Sequence, residues 1–325
     1  MSPGRHLSQQ IQATEPARSP LKLLEQLLQT KHPQIFGESA VAGDGTDWNA
    51  TELGLLGDIS IATDVEIYDD GRHHDPAPHR PPFHGTLVFT CGALFRTGYS
   101  TPPPDLQEAA PHGAIDEEAY GRLYQRRLAP VFACIQASAE ARERYAIVTV
   151  PGLGCGQFAG CFAGKLGPML QQALASILEG MQQRLNRIRV VRFDPFNECQ
   201  DADTRFGTTT LRTRPLLHSR NAHPQLCHPA TYQEAGDDFS DCDLYSLVAW
   251  DQVSWPGNDF FLGARATDDG VKAAATSSML AMTGIAGRYD PEHAKYLPPG
   301  EYRNWAECVR QNGLSLQLGE PFVSS

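Results

Sequence analysis

The sequence predicts an α/β protein: a mixed sheet flanked by helices, preceded by a helical extension. Three observations carry this. Residues 145–194 read as strand, Gly-rich turn, helix, strand, which is a βαβ unit with a parallel pair and a right-handed crossover. TLVFTC (86–91) and LYSLVAW (244–250) are short apolar runs, as buried strands are. The apolar fraction of 41% over 325 residues is enough to build a core.

The elements follow in order. Residues 1–18 are polar and aperiodic, the pattern of a disordered tail. Residues 19–50 form the extension. Within it Leu21, Leu23, Leu24, Leu27 and Leu28 share one helical stripe, and Pro33 ends the helix after Lys31 and His32. Residues 51–325 form the main domain. It opens with Gly57-Asp58-Ile59-Ser60 and the alternating strand ISIATDVEIY. Residues 71–84 are proline-rich and read as a loop, as does TPPPD at 101–105. A helix is predicted from Asp116 to Ala141. The βαβ unit then runs through YAIVTV (145–150), a helix over 165–185 and RIRVVRFD (187–194). After LYSLVAW come a loop at 251–270 and a helix at 271–282.

The net charge of −11 argues against nucleic acid or an anionic membrane as a partner. No run of 18 apolar residues predicts a membrane span, and the first twenty residues lack the apolar stretch of a signal peptide. The eight cysteines form no C-x-x-C pair, which fits reduced thiols and a cytoplasmic setting. His73, His74, His79 and His84 lie in one irregular stretch, and His223, Cys227 and His228 in another. Neither group has a four-ligand zinc pattern, so they read as surface histidines.

Two loops follow strand ends, where open α/β sheets bind ligands. The first holds Gly152, Gly154, Gly156 and Gly160. Glycines let a backbone approach a ligand closely, and successive N–H groups beside a helix end suit a phosphate or diphosphate. A tight turn with no ligand has the same composition. The P-loop and the full G-x-G-x-x-G pattern are both absent. The second loop holds Asp251, Asn258, Asp259, Asp268 and Asp269. Such carboxylates bind sugar hydroxyls, orient water or move protons. Asp268 and Asp269 also stand where helix caps stand. Asp259 lies between Trp255 and Phe260-Phe261, where desolvation would raise its pKa and suit it to proton transfer, while the choice of acid and base among the aspartates stays open. Asp269, at a helix N-terminus, is expected to be lowered and to act as a carboxylate.

Residues 148–160 resemble the diphosphate loop of poly(ADP-ribose) glycohydrolases, a G-C-G-x-F-x-G turn after a buried strand. Phe193 to Asn197 resembles the place where macrodomains hold adenosine, and Gly57 to Ser60 their adenine-touching segment. The loop 251–270 resembles the MavL-type macrodomain hydrolases, bacterial effectors that remove ADP-ribose from arginine in ubiquitin. Their three essential aspartates correspond to Asp251, Asp259 and Asp269, within Trp-Pro-Gly-Asn-Asp and Ala-Thr-Asp-Asp-Gly. The resemblance covers residues 57–285. The Gly-rich loop precedes the aspartate loop, the reverse of ordinary macrodomains, which implies a permuted topology. The Gly-Gly-Gly…Gln-Glu-Glu signature of the glycohydrolases is absent.

The resemblance implies a macrodomain-like fold and hydrolysis of the N-glycosidic bond between ADP-ribose and a protein side chain, arginine on ubiquitin. It assigns catalysis to Asp259, Asp269 and Asp251. It assigns ligand contacts to Gly154, Cys155, Gly156, Gln157, Phe158, Ala159, Gly160, Asn258, Asp268, Phe196 and Asp58. No cofactor is demanded, although an aspartate cluster can hold Mg²⁺. The partners are then ADP-ribose and ADP-ribosylated ubiquitin or another modified protein, in the host cytosol if the chain is a translocated effector. Two other classes stay open: a non-catalytic ADP-ribose reader, and an interaction module that uses the helix at 20–32.

Overall fold

The computed structural model describes residues 57–96, 102–251 and 254–314, with 316, 317, 319 and 322. The predicted tail, the leucine-striped helix and the rest of the extension lie outside these residues.

Seven strands form one mixed sheet: β1 (Ser60–Asp69), β2 (Pro78–Cys91), β3 (Tyr145–Pro151), β4 (Ile188–Asp194), β5 (Ala202–Phe206), β6 (Thr209–Thr213) and β7 (Cys242–Trp250). Their order is β1-β2-β7-β3-β4-β6-β5. The inner five run parallel, while β1 and β5 pair antiparallel at the edges. The mixed α/β architecture is therefore the predicted one.

Helices cover both faces. On one lie α1 (Pro104–Ala109), α2 (Glu117–Ala141) and α3 (Leu166–Met181), packed on Val88, Val148, Val150, Val191 and Leu247. On the other lie α4 (Asp268–Ala275), α5 (Ser278–Thr283) and α6 (Trp305–Asn312), packed on Leu87, Phe89, Ile147, Val248 and Trp250. Successive strand residues feed opposite layers, which is why the strands read as continuous apolar runs. Each such side chain, fully buried, stabilises by about 1.5–3 kcal/mol. A small hairpin, β8 (Arg288–Asp290) and β9 (Lys295–Leu297), lies between α5 and α6 in sequence. Among the described residues no helix is long and apolar enough to cross a membrane.

The structure corrects three boundaries. Residues 78–84 belong to β2 rather than to a loop. This overhang pairs with β1, whereas β7 joins β2 only from Gly85 onward. Pro78, Pro81 and Pro82 thus sit where one side of the strand has no ladder to feed. The polar segments ADTRF and TTLRT form the β5–β6 hairpin. The helix predicted at 271–282 is two helices. Thr276 is extended and bridges to Ile67, and Ser277 N donates to Glu66 O at 3.0 Å.

One buried guanidinium sets the approach to the sheet edge. Arg127 of α2 donates to both Asp105 oxygens (2.7 and 3.0 Å), to Gly92 O (3.0 Å) and to Asp58 (3.2 Å). Asp105 also accepts from Leu94 N at 2.8 Å. The loop after β2, the start of α1 and the entry to β1 are held by this one side chain. Arg127→Met should destabilise the fold by about 3–5 kcal/mol, because it strands buried carboxylates. Urea unfolding of the purified variant checks this.

Candidate active site

The parallel strands β2, β7, β3 and β4 deliver their C-terminal ends to one edge of the sheet. The loops starting at 92, 152, 195 and 251 meet there, and the crevice outside such ends is where α/β sheets bind ligands.

The Gly-rich loop divides by role. Gly154 has φ +73°, and a Cβ there would lie 2.7 Å from Ala93 N and 2.9 Å from the Tyr124 hydroxyl. That hydroxyl donates to Leu153 O at 2.5 Å and accepts from Ala93 N at 3.0 Å. Phe95 N donates to Phe158 O at 2.7 Å. The loop is thereby clamped on the one after β2. Gly154, Cys155 and Ala159 are buried, and burial pushes the Cys155 thiol up, so it stays protonated. Phe158 and Gly160 are half-buried, whereas Gly156 and Gln157 face outward. A Cβ at Gly156 would meet nothing within 4 Å. The expected help from the helix end is corrected. Gly167 N, at the start of α3, donates to Glu198 Oε2 at 2.6 Å, so this terminus already carries a carboxylate.

At the end of β4, Asp194 Oδ1 accepts from Phe196 N (2.8 Å) and Leu216 N (2.9 Å). Phe196 has φ +58° and its side chain is 57% exposed. A non-glycine residue in that region costs of order 1–3 kcal/mol, and such strain gathers at binding sites. Leu216 and Leu217 beside it are exposed as well. Asp58 is engaged otherwise: Arg126 donates to it at 2.6 Å, and Arg127 binds its second oxygen.

The aspartate loop folds around its own carboxylates. Asp251, just past β7, accepts from Ser254 N at 2.8 Å and Ser254 Oγ at 2.5 Å. Residues Asn258–Leu262 form a 3-10 turn. Asp259 Oδ2 accepts from Ala266 N (2.8 Å) and Thr267 N (3.0 Å), and its Oδ1 lies 2.8 Å from Thr267 Oγ1. A Cβ on Gly270 would overlap Asp259 Oδ1, so only glycine fits. Arg265 binds both oxygens of buried Asp69, at 2.6 and 2.9 Å, which ties this loop to β1.

Asp251, Asp259 and Asp269 are all buried, and the first two act electrostatically on the third. Asp269 holds its proton well above the usual carboxylate range. Burial is the main cause, followed by the charges of Asp251 and Asp259. The expectation of a lowered Asp269 is therefore corrected. A helix terminus contributes about 0.3–1 kcal/mol. Full burial shifts a carboxyl by up to about 3–5 units, which is several times more. Asp259 spends its oxygens on the loop.

The cap role expected of Asp268 or Asp269 is also corrected. Thr267 caps α4, its hydroxyl accepting from Gly270 N at 3.2 Å. Asp268 instead accepts from Ala249 N (2.7 Å) and from Lys272 Nζ (3.0 Å), which joins α4 to β7. Lys272 is fully buried. It donates further to Leu247 O (2.6 Å) and Gln225 Oε1 (2.9 Å), and desolvation lowers its pKa. Asn258 opens the 3-10 turn. Sequence reasoning missed Thr267, Arg265 and Lys272. A threonine before an apolar helix, and a lysine four residues after an aspartate, were the available signals. Among the described residues no group of three or more His, Cys, Asp or Glu is placed to hold a metal.

No curated protein matches the chain. The family described as macrodomain effector MavL matches residues 1–302, a span that includes the whole seven-stranded sheet and the three-aspartate loop. With nearly its full length matched, the chain belongs to the MavL macrodomain effector family.

Proposed function

We propose that the protein hydrolyses the N-glycosidic bond between ADP-ribose and an arginine side chain, with ADP-ribosylated ubiquitin as substrate. The observation that carries this is Asp269, buried beside two other buried aspartates at the C-terminal edge of the sheet, where burial and their charges push its pKa up. A reader needs no such group; an enzyme that must protonate a leaving nitrogen does.

The parts suit the reaction. Gly156 and Gln157 offer open backbone for a diphosphate, and Phe196 offers a ring for adenine. The distal ribose then reaches the aspartate loop. Asp269 gives its proton to the nitrogen as the carbon–nitrogen bond breaks. The positive charge that develops on the ribose is stabilised by the neighbouring carboxylates. Water adds to the ribose carbon and frees ADP-ribose and unmodified arginine.

Asp269→Asn should slow ADP-ribose release from modified ubiquitin about 10²–10⁴-fold while binding is retained. Single-turnover mass spectrometry checks this, and a variant that binds as before but releases at the wild-type rate leaves the site a reader.

The same variant has a distinct stability signature. A carboxyl whose folded pKa is raised gives its full stability below the unfolded value of about 3.9, and loses it as pH rises toward the folded value. Asp269→Asn should therefore gain melting temperature relative to wild type as pH rises from that range to neutrality. A capping aspartate would instead lose about 1 kcal/mol on substitution.

Gly156→Val should weaken ADP-ribose by at least about tenfold, or 1.4 kcal/mol, by calorimetry. The fold should hold, because the added side chain points into open space. Phe196→Ala should cost ADP-ribose about 0.5–1.5 kcal/mol beyond area effects and leave ribose phosphate alone unaffected.

A further inference from the structure

Thr267 Oγ1 lies 2.8 Å from Asp259 Oδ1 and 2.5 Å from Asp269 Oδ1. It also accepts from Gly270 N at 3.2 Å, an N–H that lies 2.9 Å from Asp269 Oδ1 as well. Each of the two oxygen–oxygen contacts is a hydrogen bond and needs one proton. A threonine hydroxyl carries only one. The second proton must therefore sit on a carboxyl. The arrangement is enforced by packing, because Asp259 Oδ1 occupies the space a Cβ at 270 would take.

We propose that Thr267 is a positioning residue that joins Asp259 and Asp269 into a single acid–base pair, its hydroxyl passing a proton from one carboxyl to the other. The inference rests on the hydrolase reading above, and it supplies the step that resets the site. At rest Asp269 donates to Thr267 Oγ1, and the Thr267 hydroxyl donates to Asp259 Oδ1. Bond cleavage takes the Asp269 proton and the bonding electron pair to the leaving nitrogen. The attacking water forms the new carbon–oxygen bond and gives one proton to Asp259. That proton moves to Thr267 Oγ1 while the original hydroxyl proton moves to Asp269 Oδ1. One O–H bond breaks at Asp259, one forms at Asp269, and Thr267 exchanges one for another. No electrons change hands.

The charged groups around the pair are few. Asp251 faces it from the end of β7, and Asp268 and Lys272 from α4 itself. Besides β7, two strands pack on α4, of which β1 brings Asp69, held by Arg265, and Glu66, which accepts from Tyr68. The other, β9, brings Lys295 and Tyr296, the latter accepting from Gly287 N. Burial and the Asp251 charge both hold the extra proton on Asp269.

Three substitutions separate a proton path from a helix cap. Thr267→Ser keeps both. Thr267→Asn keeps a capping oxygen and a donor but cannot pass a proton. Thr267→Val keeps the shape and loses both. The measurements are a pH titration of carboxyl-labelled aspartates by carbon-13 NMR, and single-turnover release from ADP-ribosylated ubiquitin. In wild type and the serine variant, Asp259 and Asp269 should titrate together, each following both steps of the pair. In the asparagine and valine variants they should titrate independently, and release should slow by about 10²-fold. An asparagine variant that titrates and turns over like wild type would overturn the proposal. So would a serine variant as impaired as the valine one, since that would place the effect in the lost methyl. If wild type itself releases nothing, the hydrolase reading fails, and the titrations still decide whether Thr267 couples the pair.

Discussion

The Asp259 carboxylate fills the space that a side chain at position 270 would need, and the loop from 251 to 270 takes its shape from that fit. Two backbone N–H groups and one hydroxyl converge on its oxygens, so the chain between 259 and 267 closes on itself. The closure leaves Asp269 buried within reach of the Asp251 and Asp259 charges. An acidic loop would normally spread apart by self-repulsion. Here the cost of gathering three carboxylates is offset by the N–H donors that reach each of them, and by the raised pKa of Asp269.

The opposite side of the crevice depends on different physics. Tyr124, Ala93 and Phe95 hold the Gly-rich loop from below, so its outward backbone is rigid before any ligand arrives. Asp194 does the same for Phe196 by binding the N–H groups on either side of the cleft rim. Preorganisation of this kind reduces the ordering cost of binding. This half of the site is thus fixed by side chains that themselves never need to touch a ligand.

Much of this was legible in the sequence where apolar periodicity or glycine carried the signal. The βαβ unit, the strand before Asp251 and the long helix ending at Ala141 emerged as read. The β5–β6 hairpin did not, because Arg212 and Arg214 project from it into ion pairs with Asp203, Asp237 and Glu234, and no apolar alternation remains. The long helix at 271–282 failed at Thr276 because a bridge to a distant strand outweighs local helical preference. Asp269 shows the same limit in chemical form. Its position beside a helix is local information, whereas its burial and its two acidic neighbours are products of the fold.

The prolines of the β2 overhang have a consequence outside the site. Beyond Gly85 toward its start, β2 has a partner on one side only, and that stretch is largely exposed. A bare strand flank of this kind is a template on which another polypeptide can add itself. Pro78, Pro81 and Pro82 take three N–H groups out of this stretch, those on the bare side among them, and Arg80 adds a charge. The same residues that disguised the strand in the sequence therefore deny the flank to aggregation.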